Sequence, residues 1–181
     1  HTTGKGQQID VALFDVATAV MANQGMNYLA TGVAPKRLGN AHPNIVPYAV
    51  FDCADGYIII ASGNDGQFGK LCKLLGLSLD DRYATNADRL ENRAELTAIL
   101  TEQTCKWTKE KLLAACEEHG VPAGPINDMD EVFAVPQIVS RGMRVDLDGV
   151  PSVRLPVVFS DADTTPKAAS PKLGQDQDLL D

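Results

Sequence analysis

Apolar and polar positions along the chain fall into short blocks punctuated by glycine and proline. Gln7 to Leu13 begins by alternating, which predicts a short strand running into a proline-free helix over Asp15 to Ala30 that carries Val16, Ala19, Val20, Met26 and Leu29. Gly32 to Pro47 is rich in breakers and predicts an irregular connection. A connection of that length in a compact protein is usually functional or a linker. Tyr48-Ala-Val-Phe-Asp-Cys53 and Tyr57-Ile-Ile-Ile-Ala-Ser62 are β-rich runs on either side of Ala54-Asp55-Gly56, and Asp-Gly is a strong hairpin signal.

Beyond the hairpin the period lengthens. A helix is predicted over Gln67 to Leu75, entered from Asn64 or Asp65, either of which has a side chain suited to capping. A second is predicted from Asn86 or Asp88 through Leu100 to Thr104, and a third from Thr108 to Gly120. Val121-Pro-Ala-Gly-Pro-Ile126 should be extended, because each proline disfavours helix at the residue before it. Asp128 or Asp130 can cap a short helix through Phe133, and Pro136 suits the first turn of another over Gln137 to Arg141. Met143 to Leu147 and Val153 to Phe159 read as two strands around Asp148-Gly149. From Ser160 onward apolar residues are too sparse to order a segment that does not dock on something. Both ends read as interrupted, the first within a turn of a strand and the second at Leu179-Leu180-Asp181, which resembles the opening turn of a helix.

The 181 residues, 44% of them hydrophobic, are enough for one core or two small ones. No apolar run approaches the roughly 20 residues of a membrane-spanning helix, and His1 to Asp10 lacks a hydrophobic signal region, so neither a membrane partner nor secretion is expected. A net charge of −8, without a basic patch interleaved with aromatics, disfavours nucleic acid as a partner. Cys53, Cys72, Cys105 and Cys116 form no CxxC pair and read as reduced, mostly buried thiols of a cytoplasmic protein, with no metal site expected.

Signatures of zinc proteases, serine hydrolases, P-loops and dinucleotide folds are all missing. The segment Arg37 to Tyr48 gathers the most chemistry: Gly39, Asn40, His42, Asn44 and Tyr48 between prolines. Glycine permits close approach of a ligand, and Asn and His donate hydrogen bonds to a carboxylate or a developing oxyanion. An Asn-x-His-Pro turn equally serves to satisfy its own backbone. Asp65 is either a helix cap or a carboxylate facing a ligand. His119, in a last helical turn, and Glu91, Glu95, Glu110, Glu117 and Glu118, on exposed helix faces, read as structural or solvated.

Several short motifs occur in one order: Gly4 to Asp15, Arg37 to Tyr48, Asp55-Gly56 with Ala61 to Asp65, Gly120 to Ile126, Glu131-Val-Phe133, Pro136-Gln137, Arg141-Gly-Met143 and Ser170 to Gly174. That order closely resembles the C-terminal half of class III CoA-transferases, the CaiB/BaiF family. The resemblance implies an α/β fold: an α+β small domain in which a β-hairpin and short strands pack with helices, and terminal segments belonging to a Rossmann-like large domain. Residues 1–44 would leave the large domain, 45–125 would form the small domain, and 126–181 would return. It further implies a chain about twice as long and an interlocked homodimer, with apolar surface left open on residues 1–30 and 140–181.

The chemistry implied is transfer of CoA from an acyl-CoA thioester to a carboxylic acid through acyl-aspartyl and aspartyl-CoA intermediates, with CoA as substrate and no bound cofactor. The nucleophilic aspartate would lie upstream of His1, so no catalytic residue falls in this chain, and Asp10 and Asp15 do not match it. Gly39, Asn40, His42, Tyr48 and Asp65 would face substrate. Some family members carry a glycine-rich lid where Gly39 to Tyr48 stands. Here Gly39 is followed by Asn40, Ala41, His42 and Pro43, which implies a fixed polar wall. Related racemases place a carboxylate near the position of Asp65, making an α-methylacyl-CoA racemase-like enzyme the main alternative. A standalone binding or dimerisation module is the third.

Overall fold

A computed structural model describes residues 4–78, 80–175 and 177, and they mix helices with small antiparallel sheets. The chain divides into two compact units, 1–125 and 126–181. Leu179 to Asp181, where a helix was expected to open, lie outside the described residues.

The first unit is organised on the expected hairpin. β1 (Tyr48–Cys53) pairs antiparallel with β2 (Gly56–Ala61), with Phe51 opposite Ile58 and Ala49 opposite Ile60. Side chains alternate across a strand, so this register sends Phe51, Cys53, Ile58 and Ile60 to one buried face. β3 (Ala123–Ile126) lies beside β2, completing a three-stranded sheet from the predicted extended segment.

Three helices supply the other wall of the core. α3 (Asp65–Leu74) and the residue after it contribute Phe68, Leu71, Cys72 and Leu75 at helical spacing. α5 (Arg93–Thr104) contributes Leu96, Leu100 and Thr104, and α6 (Lys109–His119) contributes Leu112 and Cys116. Thr108 caps α6, and the hairpin-turn carboxylate of Asp55 accepts the Lys109 N–H at 2.7 Å, tying the turn to the helix start. Glu91, Glu95, Glu110, Glu117 and Glu118 are exposed, as their spacing suggested.

Four expectations need correction. Residues 7–12 are not a strand, since no neighbouring strand takes their hydrogen bonds among the described residues. The helix expected over 15–30 is two helices, α1 (Leu13–Val20) and α2 (Ala22–Thr31), with Ala22 at φ 40° between them. Neither buries a residue, so no packed face enforces a single axis. The helix expected from Asn86 to Thr104 is likewise split into α4 (Asn86–Glu91) and α5 at Asn92. The Asn92 amide donates to the carbonyls of Arg82 and Asp88, competing with the helical ladder. The last strand is the fourth correction and belongs to the second unit.

That unit contains α7 (Met129–Ala134), closed by a capping box between Asp128 and Glu131, and α8 (Pro136–Ser140), with proline in its first turn as expected. β4 (Arg144–Leu147) pairs with β5 (Val150–Val153), rather than with 153–159. Asp148 and Gly149 both take positive φ, which makes the two-residue turn that returns the chain at once. Pro151 obscured β5, yet a two-stranded ribbon leaves each strand a free edge where a proline costs no ladder bond.

Large apolar side chains within 1–30 and 140–181 are exposed, among them Leu13 88%, Phe14 82%, Leu29 74% and Phe159 54%, and so are Val33, Tyr57, Met129 and Val139 outside those ranges. No helix among the described residues is long and apolar enough to cross a membrane.

Cys53, Cys72 and Cys116 are buried and Cys105 is exposed, and all four are free. Burial pushes the thiols of Cys72 and Cys116 up to about 11, so they remain protonated and unreactive at neutral pH. Brief alkylation of the native protein at pH 8, read by peptide mass spectrometry, should label Cys105 and spare Cys72 and Cys116 until denaturant is added.

Candidate functional site

The connection Gly32 to Pro47 is irregular as expected, but it is pinned on two sides. On one side the amides of Asn27, on α2, and Asn44 exchange hydrogen bonds at 3.3 and 3.1 Å. On the other, three side chains grip consecutive peptide groups. Arg93 donates to the Pro43 carbonyl at 2.9 Å. Asn86 donates to the Asn44 carbonyl at 2.9 Å and accepts the Val46 N–H at 3.1 Å. Arg89 donates from Nε to the Val46 carbonyl at 2.6 Å.

Arg89 is fully buried, and its guanidinium does more than hold Val46. Nη1 donates to the carbonyls of Tyr83 and Ala84, Nη2 donates to Asp65 Oδ1 at 2.6 Å, and the plane lies 4.5 Å over the Phe68 ring. Four of the five guanidinium donors are thereby used, and the charge is answered by one carboxylate that is itself 58% exposed. The hub thus joins the connection, the start of α3 and the turn before α4.

Each expected site residue has a definite place around this hub. Gly39 adopts φ +59° with open space where a side chain would stand. Asn40 is exposed, and its amide is unpartnered among the described residues. His42 is half-buried: its N–H donates to the Tyr48 carbonyl at 2.8 Å, and its ring stacks on Tyr48 with centroids 5.2 Å apart. Nδ1 of His42 accepts the Asn44 N–H at 3.1 Å, so the uncharged ring carries its proton on Nε2. Asp65 does not cap α3; Asn64 does, accepting the Gln67 N–H at 2.9 Å, and Asp65 is the counter-ion of Arg89.

His42 and Tyr48 therefore meet directly, while Asp65 is linked to the same loop through Arg89. Asn86, Arg89 and Arg93 went unrecognised in the sequence, where only Asn86 stood out, as a possible helix start. Thr85 holds that role through a capping box with Asp88, leaving the Asn86 side chain for the loop. Asn86 and Arg89, three apart on α4, share a face, whereas Arg93 opens α5 beyond the break at Asn92, so no single periodicity in the sequence joined the three. The loop is positioned rather than catalytically equipped: it displays Asn40 and one edge of His42 on a fixed backbone. Among the described residues no three His, Cys, Asp or Glu side chains gather to hold a metal.

Comparison with known proteins gives these features a context. The sequence profile of CoA-transferase family III matches residues 1–177. The chain is 51% identical over 183 positions to a succinate-glutarate CoA-transferase of Agrobacterium fabrum, covering 97% of this chain and 46% of that protein. It is 41% identical over 151 positions to the human succinyl-CoA:glutarate CoA-transferase, covering 82% of this chain and 34% of that one. A crystal structure of a CaiB/BaiF family protein from Brucella suis superposes with a TM-score of 0.82 at 55% identity, over 99% of this chain and 48% of that one. The chain thus spans about half the length of these relatives or less.

Asn86→Ala removes two hydrogen bonds to the loop and leaves the part-buried Val46 N–H unpaired, so denaturant unfolding should show a loss of about 1–3 kcal/mol. The Asp88 carboxyl is held below the usual carboxylate range, chiefly by the Thr85 hydroxyl and then by the Thr85 N–H. The folded form therefore binds this proton less readily than the unfolded one, and the stabilisation, full above about pH 4, is lost as pH falls through the folded value. Asp88→Asn should flatten the acid limb of the stability profile measured between pH 2 and 6.

Proposed function

The chain belongs to CoA-transferase family III, and from that premise we propose that it is part of an enzyme moving CoA from an acyl-CoA to a short dicarboxylic acid. The observation that carries this reading is the 51% identity to a succinate-glutarate CoA-transferase across 97% of the chain. An aspartate upstream of His1 attacks the thioester carbonyl, expelling CoA thiolate and forming a mixed anhydride. CoA thiolate then attacks the aspartyl carbonyl, releasing the donor acid and leaving an aspartyl-CoA thioester. The acceptor carboxylate attacks that thioester, and CoA thiolate finally attacks the acceptor's acyl carbon in the new anhydride, restoring the aspartate.

In this scheme Gly39, Asn40, His42, Tyr48 and Asp65 form the substrate-side wall. Gly39 keeps the backbone open, Asn40 and His42 donate hydrogen bonds to the acid or acyl group, Tyr48 stacks behind His42, and Asp65 holds Arg89 beneath the loop. A racemase would instead use Asp65 to move a proton at the α-carbon. The commitment of Oδ1 to Arg89 at 2.6 Å weighs against that.

Residues 1–44 and 126–181 would border a large domain and 45–125 would form the small one, in a cytoplasmic, interlocked homodimer. The outward-facing apolar residues of α1 and α2 favour contacts with parts outside this chain.

The test is CoA exchange by the full-length protein, with succinyl-CoA and glutarate as probes. Acceptor-dependent exchange is expected, with kcat/KM lowered about tenfold or more by His42→Ala. Unchanged kcat and KM in that variant would remove the loop from the site. Epimerisation of a 2-methylacyl-CoA without any acceptor would establish the racemase reading instead. The 181-residue chain alone should transfer nothing.

A further inference from the structure

From Val16 to Phe51 the sequence has no aspartate or glutamate, although the chain carries 24 of them and a net charge of −8. The fixed charges of that stretch are Lys36 and Arg37, adjacent and exposed on the connection that leads from α2 to β1. Each of the other arginines of this unit is engaged: Arg82 pairs with Asp80 and Glu95, Arg89 pairs with Asp65, and Arg93 donates to the Pro43 carbonyl. Arg37 has no hydrogen-bond or ionic partner among the described residues. Its position relates it to the site. The Ala41 N–H closes a turn on the Leu38 carbonyl at 3.1 Å, with Gly39 at φ +59° inside it. A turn of this kind holds its two ends within about 7 Å, so the residues that flank it, Arg37 and His42, are returned to one end of the loop.

We propose that Arg37 receives the far carboxylate of a dicarboxylic acceptor whose near end reacts beside His42, and so sets a preference for diacids over monoacids. A guanidinium offers a carboxylate two parallel donors, and both bonds are charge-assisted. A dianion is repelled by a chain of net charge −8, and the acid-free stretch removes that repulsion where the donor stands, with Lys36 adding to the attraction. The far side of the turn is already set: the His42 N–H is bonded to the Tyr48 carbonyl and the Pro43 carbonyl to Arg93, so binding has mainly the Arg37 side chain to order. The phosphates of CoA are also anions, but the pantetheine arm holds them far from the thioester carbon, whereas Arg37 is one turn away from the residues assigned to the reacting end. The proposal rests on the CoA-transferase reading for its substrate.

The experiment compares glutarate with pentanoate, an acid of the same length lacking the far carboxylate, as acceptors for the full-length protein. The wild-type preference for glutarate, taken as a ratio of kcat/KM values, should fall about tenfold in Arg37→Ala and less in Arg37→Lys, which keeps the charge without the fork. Added salt should lower the preference in the wild type and lower it less in Arg37→Ala, a signature that a structural role would not produce. An unchanged ratio in Arg37→Ala overturns the proposal and leaves the arginine merely solvated. So does an unchanged ratio with a raised KM for succinyl-CoA, which would assign Arg37 to the phosphates of CoA. Glutarate titrated calorimetrically into the full-length protein reads the contact without catalysis. An affinity about tenfold weaker in Arg37→Ala is expected, and equal affinity, or no binding to the wild type, overturns the proposal. Absence of CoA transfer to either acid, with Arg37-dependent binding of glutarate intact, would count against the transferase reading alone.

Discussion

A buried guanidinium cannot be left without partners, and that requirement organises this structure around Arg89. Taking the charge out of water costs several kcal/mol, which is offset only if its charge and most of its donors are answered. They are answered by groups from four places in the sequence: the Val46 carbonyl, the Asp65 carboxylate, the Tyr83 and Ala84 carbonyls, and the Phe68 ring. Each partner is thereby fixed relative to the others. The loop preceding β1 is held because its Val46 carbonyl is one of the oxygens that Arg89 must have, and Asn86 and Arg93 extend that grip along the backbone.

This arrangement explains how a connection with no helix or strand holds a polar surface in place. A glycine-rich segment would close over a ligand and open again. Here Pro43 to Val46 are bonded at successive peptide groups, His42 is bonded to Tyr48 through both backbone and ring, and Asn44 is locked to α2. Gly39 and Asn40 are the exposed central residues of a turn that the Ala41 N–H closes on the Leu38 carbonyl at 3.1 Å.

Much of this was legible from the residues. The hairpin, α3, α6 and the proline-started α8 follow from alternation, Asp-Gly, capping side chains and Pro136, all local signals. The loop stood out by composition, and the order of its motifs with the others pointed to the CoA-transferase family. What was hidden depends on distant partners. Arg89 looks like any helical surface arginine until the fold buries it, and Asp65 has the profile of a cap until Asn64 takes that role. The breaks at Ala22 and Asn92 also escaped, the first for want of any breaker and the second because an asparagine mid-helix declares itself only through the carbonyls it finds. Asn27 carries no motif, and its significance is entirely a matter of what α2 lies against.

Amide hydrogen exchange in the full-length protein carrying Arg89→Lys shows whether the guanidinium holds the loop. Lysine keeps the charge but loses the planar fork that reaches carbonyls in several directions at once. The Val46 and His42 N–H groups should exchange at least about tenfold faster, while the Leu112 amide in α6 keeps its protection. Unchanged protection at Val46 and His42 would contradict this and show that the loop is held without the guanidinium.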